Sequence, residues 1–403
     1  MKLCIAGKNN IAVNILIEAL KLLDKEDVLI VLNRNDLGEN KNQKSLKFFA
    51  EKHDLSIVKL EQLYDVDDLV FLSLEFDSIV NTSMFKSTNL YNVHFSLLPS
   101  YKGVYTSYWP IVNNEERVGV TLHEIDQGID AGDIIDQDSF ELPRTFTSRM
   151  LYDKYIDMGI KLVISNLDNL LFQKPLLKRK QSPLGSSYYS RKSVNFKNIA
   201  IDLRQTAEYI HNQIRALNFR EFQLAVINNI SVSHSMILTS RSLEKPGKVL
   251  FDDEHCMIIS TIDYDLKLFK DKLVDLVKAS RDGDITLISN LARLGYDLNE
   301  RNSNGWTPLI TASYHGQSEV VKFLLENGAQ PDLNDWNGTT PLMYAQLFAK
   351  KSMDTRIFDL LLDFGANPWV TDFEGLNLHD HIVKITNSDL AIKLINKVEN
   401  VKK

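Results

Sequence analysis

The sequence predicts an α/β protein that ends in an all-α repeat domain, and two observations carry this prediction. From the start to about residue 140, short apolar runs alternate with amphipathic stretches, a pattern typical of helices layered on a parallel sheet. Near the end, the hexapeptide NGWTPL at residues 304–309 recurs as NGTTPL at residues 337–342. A repeat of this period indicates stacked helical units. With 403 residues, the chain has room for two or three domains.

The first domain contains four predicted strands, three of which are followed by polar residues. Asn9, Glu75 and His94 lie at or just after the ends of the first, third and fourth strands. Because parallel strands end at the same edge of a sheet, we expect these side chains at one edge, where open α/β folds bind ligands. The four strands are predicted at residues 3–6, 28–32, 69–74 and 90–94.

A smaller β-rich section follows this domain. A long amphipathic helix is predicted at residues 147–171, and a second helix at residues 205–217. Short alternating runs then predict strands at residues 222–226, 248–251 and 256–261. This section by itself indicates no function.

Composition disfavours several classes of function. The formal net charge is -7 and no long Lys/Arg block is present, so a nucleic-acid partner is not expected. Cys4 and Cys256 are the only cysteines, and both lie in apolar settings, so neither a disulfide framework nor a zinc site is expected. No apolar run approaches the ~20 residues that cross a membrane. We therefore expect a cytoplasmic protein with no membrane partner.

The densest polar group spans residues 92–103 and 123–134. Asn92 and His94 alternate on one predicted strand, so their side chains face the same side. In acyl transfer to an amine, the Asn92 amide would stabilise the developing oxyanion and His94 would carry the proton. Asp130 would orient the imidazole and stabilise its charged form. Gly128 and Gly132 would let the second segment approach a ligand closely.

A metal site is an alternative for the same segments. His94, His123, Asp126 and Asp130 are residue types that bind metals. The sequence offers neither a cysteine pair nor two histidines at helical spacing, so we predict no metal.

The two segments together resemble the formyltransferase family that uses 10-formyltetrahydrofolate. The family pattern Asn-x-His-x-Ser-x-Leu-Pro-x-x-x-Gly is met without a gap by residues 92–103, and Asp-x-Gly-x-Asp-x-Gly-x-Ile by residues 126–134. The resemblance implies a Rossmann-like catalytic domain with Asn92, His94 and Asp130 as catalytic residues and 10-formyltetrahydrofolate as the donor. The residues that it places at the folate are Phe76, Asp77, His123 and Asp126.

Members that formylate nucleotide-linked amino sugars resemble this sequence more than the tRNA and purine members do. The similar segments are residues 7–10, 73–77 and 214–219. The resemblance implies a dTDP-linked 3- or 4-amino-dideoxyhexose as the acceptor, such as dTDP-3-amino-3,6-dideoxyglucose, formylated for a surface polysaccharide (O-antigen). The residues that it implies at the acceptor are Asn9, Tyr188, Lys192, Arg215, Asn218 and Phe222.

The C-terminal repeat resembles ankyrin repeats. Gly295, Gly328 and Gly365 each follow a leucine-rich helix, at intervals of 33 and 37 residues. Such repeats present concave surfaces that bind proteins. Trp306 and Trp336 lie at turn positions, where large aromatic side chains are costly to expose, so a second hypothesis is a regulatory nucleotide bound there.

These observations predict three domains. Residues 1–180 form the catalytic domain, residues 181–269 a helix and β-rich subdomain for substrate binding and homodimer formation, and residues 270–403 the ankyrin-like repeats. Three alternatives stay open: a formyltransferase fold retained as a binding or regulatory module, a hydrolase that releases formate from the same folate, and formylation of a different amine. The intact set of Asn92, His94 and Asp130 argues against the first.

Overall fold

The computed structural model describes residues 1–172, 174–385 and 388–400. The chain divides into two compact units. One comprises Met1–Glu39 and Gln43–Lys270, and the other comprises Asn40–Asn42 and Asp271–Lys403. The finer boundary at residue 180 stays a prediction.

The first half of the first unit contains eight strands. They are β1 (Lys2–Gly7), β2 (Val28–Leu32), β3 (Ser56–Ile57), β4 (Leu69–Leu74), β5 (Asn89–His94), β6 (Lys102–Gly103), β7 (Arg117–Glu124) and β8 (Ile134–Glu141). All except β6 form one sheet in the order β3-β2-β1-β4-β5-β7-β8. The first five strands are parallel, whereas β7 and β8 run antiparallel to their neighbours. The four predicted strands are confirmed.

The central strands are buried because helices cover the sheet. β4 is buried along its whole length, as expected for a continuous apolar run in a parallel sheet. The helices of this unit are α1 (Asn9–Ala19), α2 (Leu46–Lys52), α3 (Trp109–Val112), α4 (Ser148–Leu171) and α5 (Ala207–Leu217). Gly159 of α4 has no side chain to separate it from Ile11 of α1 and Val93 of β5. α1 and α4 therefore cover the same face of the sheet.

Successive strands are added on one side of β1 as far as β3 and on the other side from β4 onward, so the strand order has a reversal point between β1 and β4. β1 is followed along the chain by β2 on one side, while β4 lies on the other side of β1 and leads to β5. In open α/β folds, the crevice at the carboxyl ends of two such strands is the usual ligand site. The loops after β1 and β4 are therefore placed to contact substrates.

Six strands remain, and five of them form a second, antiparallel sheet. The six strands are β9 (Tyr188–Tyr189), β10 (Ala225–Ile227), β11 (Ile230–Arg241), β12 (Val249–Asp252), β13 (Cys256–Ile259) and β14 (Tyr264–Lys270). The five-stranded sheet has the order β10-β11-β14-β13-β12, and β9 pairs with β6. The three strands predicted here are confirmed with shifted bounds, whereas the prediction omitted β11 and β14. At the edge, β12 leaves Val249, Leu250 and Phe251 exposed.

The second unit is made of helical pairs. Its helices are α6 (Leu273–Asp282), α7 (Ile285–Arg293), α8 (Pro308–His315), α9 (Ser318–Glu326), α10 (Pro341–Ser352), α11 (Arg356–Asp363), α12 (Leu378–Ile382) and α13 (Ser388–Asn400). Thr307 and Thr340 each accept a hydrogen bond from a backbone N–H three residues later, which caps the helix that follows. Among the described residues, no helix has the length and apolar character needed to cross a membrane.

Both cysteines lie in the interior. Cys4 is in β1 and Cys256 is in β13, and neither forms a disulfide. Burial raises the pKa of each thiol. The two residues therefore behave as small apolar side chains.

Candidate active site

The end of β5 brings the predicted catalytic residues together. Asn92 and His94 project to the same side of this strand. The antiparallel neighbour β7 places His123 directly opposite Asn92. The loop between β7 and β8 then returns Asp130 to the same place, with a left-handed backbone (φ 50°) at Asp130 itself. Four polar side chains from two strands and one loop thus meet at one edge of the sheet.

The hydrogen bonds of His94 fix where its ring carries hydrogen. Nε2 lies 2.7 Å from the backbone oxygen of Tyr101, and a carbonyl oxygen can only accept, so Nε2 must donate. Nδ1 faces Oδ2 of Asp130 at 3.5 Å. Burial lowers the pKa of His94, while the charge of Asp130 acts in the opposite direction. The ring is therefore neutral near pH 7, and Nδ1 is the nitrogen that can take a proton.

Asp130 is held as a carboxylate. Its Oδ2 accepts a hydrogen bond of 2.8 Å from the backbone N–H of Gly103. Burial alone would raise the pKa of Asp130, but the neighbouring His94 and the hydrogen bond from the Gly103 amide hold this pKa well below its usual range. The charge beside His94 therefore persists across the physiological range of pH and favours the imidazolium that forms after proton transfer.

The side-chain amide of Asn92 is oriented by His123. Nδ1 of His123 lies 2.7 Å from the backbone oxygen of Glu124 and therefore donates. Nε2 is then an acceptor, and it receives a hydrogen from Nδ2 of Asn92 at 3.0 Å. The second hydrogen of the amide points to Oδ1 of Asp130 at 3.4 Å. Asn92 can stabilise an oxyanion only by exchanging one of these bonds, and the longer one is the easier to exchange.

His123 is buried among the catalytic residues, and its folate contact stays a prediction. The resemblance put this residue at the folate, but its side chain is only 2% exposed. Both ring nitrogens are occupied by Glu124 and Asn92. Its contacts make His123 a positioning residue for Asn92.

A second polar cluster lies at the ends of β1 and β4. Nδ2 of Asn9 donates to Oε2 of Glu75 and to the hydroxyl of Tyr152, both at 2.9 Å. The Tyr152 hydroxyl in turn lies 2.9 Å from Oε1 of Glu75. Burial raises the pKa of Glu75, whereas the Asn9 hydrogen bond and the charge of Lys8 act in the opposite direction. Asn9 was predicted to contact the acceptor substrate, and this contact stays a prediction. Tyr152 was not predicted at the site.

Comparison with known proteins identifies the two units. A profile described as formyl transferase matches residues 59–167, and a profile described as ankyrin repeats matches three copies over residues 276–372. One solved structure is that of WlaRD, a sugar 3N-formyl transferase, in the presence of dTDP and 5-N-formyl-THF. WlaRD is 42% identical to this chain and superimposes on it with a TM-score of 0.63. The alignment covers 67% of this chain and 97% of WlaRD. The chain belongs to the formyltransferase family.

Two further relatives give the range of acceptors that similar proteins use. The N-formyltransferase from Helicobacter canadensis, in complex with folinic acid and dTDP-3-aminofucose, is also 42% identical, covers 67% of this chain and 100% of its own, and has a TM-score of 0.63. The methionyl-tRNA formyltransferase of Clostridioides difficile is 25% identical over 281 residues, which are 65% of this chain and 89% of that protein. The predictions of a folate-dependent formyltransferase and of ankyrin repeats are confirmed.

Three other residues of this formyltransferase were predicted at the folate. Phe76 is half-buried and packs edge-on against Phe71, with ring centroids 6.3 Å apart. Asp77 is also half-buried and accepts a hydrogen bond from the backbone N–H of Arg34. Asp126 is exposed, in the same loop as Asp130. Phe76 and Asp77 follow β4, whereas Asp126 follows β7, which runs antiparallel to β5. The folate contacts of all three stay predictions.

Two of the residues predicted at the acceptor lie in the interior of the formyltransferase. Arg215 is 7% exposed and donates to the backbone oxygen of Phe146 at 2.8 Å and to Oδ1 of Asn212 at 2.6 Å. Its Nε is buried without a hydrogen-bond partner among the described residues, and the diphosphate contact stays a prediction. Asn218 is 8% exposed and its Nδ2 donates to the backbone oxygen of Ser233. The sequence does not indicate that either residue is buried, because an isolated helix end gives no information about what packs on it, and both acceptor contacts stay predictions.

Three other predicted acceptor residues are exposed. Tyr188 lies on the short strand β9, and its backbone pairs with Lys102 at the end of the active-site segment. Lys192 follows in the next loop. Phe222 has 73% of its surface exposed and touches Phe219, whose ring contacts Tyr152 of the second polar cluster. These positions agree with contacts to a ligand at the sheet edge, which stay predictions.

The two tryptophans of the repeats are packed rather than exposed. The ring of Trp306 makes edge contacts with Tyr314 and Tyr344 at 5.3 and 5.1 Å. Trp336 lies across Gly305, where a Cβ atom would come within 2.6 Å of it, and its Nε1 donates to the oxygen of Ser303. Both side chains therefore have a packing role. The nucleotide hypothesis stays a prediction without the exposed aromatic surface that motivated it.

Gly132 of the loop has a structural role. Gly132 is required by the chain itself, because a Cβ atom there would lie 2.0 Å from the backbone oxygen of Glu124. No ligand is needed to explain this glycine. Among the described residues, no three His, Cys, Asp or Glu side chains are grouped so that they could hold a metal ion.

Proposed function

We propose that the protein transfers the formyl group of 10-formyltetrahydrofolate to the amine of a dTDP-linked 3- or 4-amino-dideoxyhexose, such as dTDP-3-amino-3,6-dideoxyglucose. The observation that carries this proposal is the 42% identity to two sugar N-formyltransferases, over 97% and 100% of their lengths. One of these proteins was crystallised with dTDP and the other with a dTDP-linked amino sugar. The product would serve the synthesis of a surface polysaccharide.

The geometry supports a direct acyl transfer. The acceptor amine attacks the formyl carbon, and the nitrogen–carbon bond forms while Nδ1 of His94 takes a proton from that nitrogen. Asp130, 3.5 Å from Nδ1, stabilises the imidazolium. The Asn92 amide stabilises the negative oxygen of the tetrahedral intermediate. The bond from the formyl carbon to the folate nitrogen then breaks, His94 returns the proton to that nitrogen, and the products are a formamide and tetrahydrofolate.

A charged tRNA is the second acceptor class among the relatives, and this protein is poorly suited to it. Nucleic-acid binding depends on Lys and Arg side chains that neutralise several phosphates. The chain instead carries a formal net charge of -7. This balance favours a small acceptor with only two phosphates.

A homodimer is part of the proposal. Strand β12 is an edge strand, and its Val249, Leu250 and Phe251 are each at least 40% exposed. An apolar edge strand with unpaired backbone groups is a surface that proteins usually cover. We assign a second copy of the chain to this edge, and we assign to the ankyrin repeats the binding of a partner protein or a regulatory nucleotide.

The test is a mass-spectrometric assay of the purified chain. The protein is incubated with 10-formyltetrahydrofolate and, separately, with a panel of dTDP-amino sugars and with charged initiator tRNA. The expected result is the gain of one formyl group by one sugar and none by the tRNA. Formylation of the tRNA alone, or of no sugar while the folate still binds, would refute the proposed acceptor.

A further inference from the structure

The backbone oxygen of Tyr101 competes with Asp130 for the ring hydrogen of His94. The neutral ring carries a single N–H, and an oxygen faces each of its two nitrogens. The Tyr101 oxygen lies 2.7 Å from Nε2, whereas Oδ2 of Asp130 lies 3.5 Å from Nδ1. At equal distances the carboxylate would be the stronger acceptor, because it is charged. The hydrogen therefore stays on Nε2 only while the Tyr101 oxygen keeps its shorter distance.

The backbone of Tyr101 has an unusual conformation. Its φ is 61°, in the left-handed region that residues other than glycine rarely adopt. Such a conformation persists where the surrounding structure maintains it. The backbone N–H of Tyr101 donates to Oγ of Ser187 at 2.8 Å. Because this N–H and the carbonyl flank the same Cα atom, the bond to Ser187 restricts where the carbonyl oxygen points.

Ser187 is itself held in place by backbone bonds. Residues 185–189 run alongside β6, and the backbone oxygen of Ser187 accepts from the N–H of Lys102 at 2.9 Å. A Cβ atom at Gly103 would lie 2.2 Å from the backbone oxygen of Tyr189, so this close approach requires glycine. The Ser187 hydroxyl is thus fixed by contacts that do not depend on its own side chain.

The side chain of Tyr101 is anchored as well. Its hydroxyl donates to Oε1 of Glu115 at 2.5 Å and accepts from Nδ2 of Asn113 at 3.0 Å. Its ring stacks on that of Tyr189, with centroids 5.5 Å apart and 9° between the planes. Together with the bonded backbone N–H, these contacts fix the position of the carbonyl oxygen.

We propose that Tyr101, held by Ser187 and Glu115, is a positioning residue whose carbonyl keeps the hydrogen of His94 on Nε2 and so leaves Nδ1 free to take the proton of the acceptor amine. This inference rests on the proposed function. If the carbonyl moved away, the hydrogen would be better placed on Nδ1, beside Asp130. A nitrogen that already carries hydrogen cannot act as the base. Tyr101 acts through His94 and needs no contact with either substrate.

The first part of the experiment measures kinetics of the full-length protein. Ser187→Ala removes the oxygen that accepts from the Tyr101 N–H. We expect kcat to fall about 10-fold while the KM values for folate and acceptor stay nearly constant, because the base is misplaced rather than the substrates. Ser187→Thr keeps the hydroxyl and should restore most of kcat. Ser186 is the exposed serine next in the chain, and Ser186→Ala is the matched control that should leave kcat unchanged.

The second part locates the ring hydrogen directly by nitrogen-15 nuclear magnetic resonance. A ring nitrogen with hydrogen and one without give well-separated signals, and the spectrum of His94→Ala assigns those of His94. In the neutral wild type we expect hydrogen on Nε2 and none on Nδ1. In Ser187→Ala the two signals should move toward each other, because part of the population then carries hydrogen on Nδ1.

A second variant keeps the test available if Ser187→Ala does not fold. Tyr101→Phe removes the hydroxyl that Glu115 and Asn113 hold but retains the ring that stacks on Tyr189. It should lower kcat and move the two His94 signals in the same direction as Ser187→Ala.

The outcomes separate this inference from the proposed function. Hydrogen on Nδ1 in the wild type would overturn the role of Tyr101. A loss of kcat in both variants with unchanged His94 signals would also overturn it, since their effect would then be structural only. A wild type that formylates no dTDP-linked amino sugar would contradict the proposed function, and the ring signals, which need no substrate, would still decide whether Tyr101 controls the hydrogen of His94.

Discussion

The Nε2 atom of His94 lies 2.7 Å from the backbone oxygen of Tyr101. Because this bond holds the hydrogen on Nε2, the proton of the acceptor amine can be taken only at Nδ1. His94→Ala should therefore lower kcat at least ~100-fold, the usual scale for the loss of acid–base catalysis. The rate is measured as formylated product by mass spectrometry, and circular dichroism checks that the fold is retained. A variant that turns over at the wild-type rate would exclude His94 as the base.

The pKa of His94 gives a second prediction. Burial lowers it, so the midpoint of its titration should fall below the ordinary value of about 6.5. The neutral form is the base, so the contribution of His94 to activity is lost as the pH falls through that midpoint and is complete above it. Asp130→Asn removes a charge that favours the imidazolium and should lower the midpoint further.

Nuclear magnetic resonance of the labelled imidazole carbons measures this titration, and the His94→Ala spectrum assigns the signal. A midpoint above 6.5 in the wild type would mean that the pair with Asp130 outweighs burial.

A substitution of His123 can distinguish a role in positioning Asn92 from a role in binding the folate. If it orients Asn92, His123→Ala should lower kcat about 10-fold or more while the KM for the folate stays nearly constant, because the lost interaction acts in the transition state. Steady-state kinetics at varied donor concentration make this measurement. A raised KM for the folate with unchanged kcat would instead support the contact that the sequence resemblance implies.

The edge strand β12 offers a test of the dimer. Phe251→Asp places a charge on a side chain that is 47% exposed, so it should convert a dimer into monomers without unfolding the chain. Analytical ultracentrifugation reports the mass. Leu184, which is 87% exposed and lies outside this strand, provides the control variant Leu184→Asp. Equal masses for wild type and Phe251→Asp would exclude an interface at β12.

Asp335 should be important for the stability of the repeats. It is 1% exposed and accepts hydrogen bonds from the backbone of Asn337 and Thr339 and from the hydroxyl of Tyr344. Asp335→Ala leaves these donors unpaired and should cost roughly 2 kcal/mol of unfolding free energy. Denaturant titration measures the change. The matched control is Asp282→Ala, which removes an exposed carboxylate paired with Arg281 and should change little.

The sequence was sufficient to predict four of the five parallel strands and to single out Asn92, His94 and Asp130, which the fold brings together. Continuous apolar runs such as residues 69–74 are recognisable because both faces of that strand are buried. β7 was not predicted, because its buried face includes Thr121 and His123, whose polar groups find partners only in the folded protein. Local sequence patterns identify strands that are apolar throughout. They do not identify strands whose polar residues are buried through hydrogen bonds to residues distant in the chain.

The second polar cluster illustrates the same limit. Glu75 and Tyr152 are far apart in the chain, and no motif links them. Only the order of the strands and the packing of α4 bring the carboxylate and the hydroxyl together. Arg215 is a second example. A basic residue near the end of an amphipathic helix is usually exposed, and only the fold shows that its guanidinium is buried and donates to the backbone oxygen of Phe146.

The burial of Cys4 and Cys256 has a practical use. Thiolates are the reactive form of cysteine, and both thiols are shielded from solvent with a raised pKa, so neither should react readily with alkylating probes. A cysteine introduced at Ile129, which is 46% exposed in the loop beside Asp130, would then be the one reactive thiol. A fluorophore attached there would report movements of this loop as the donor and acceptor bind, without any need for a cysteine-free background.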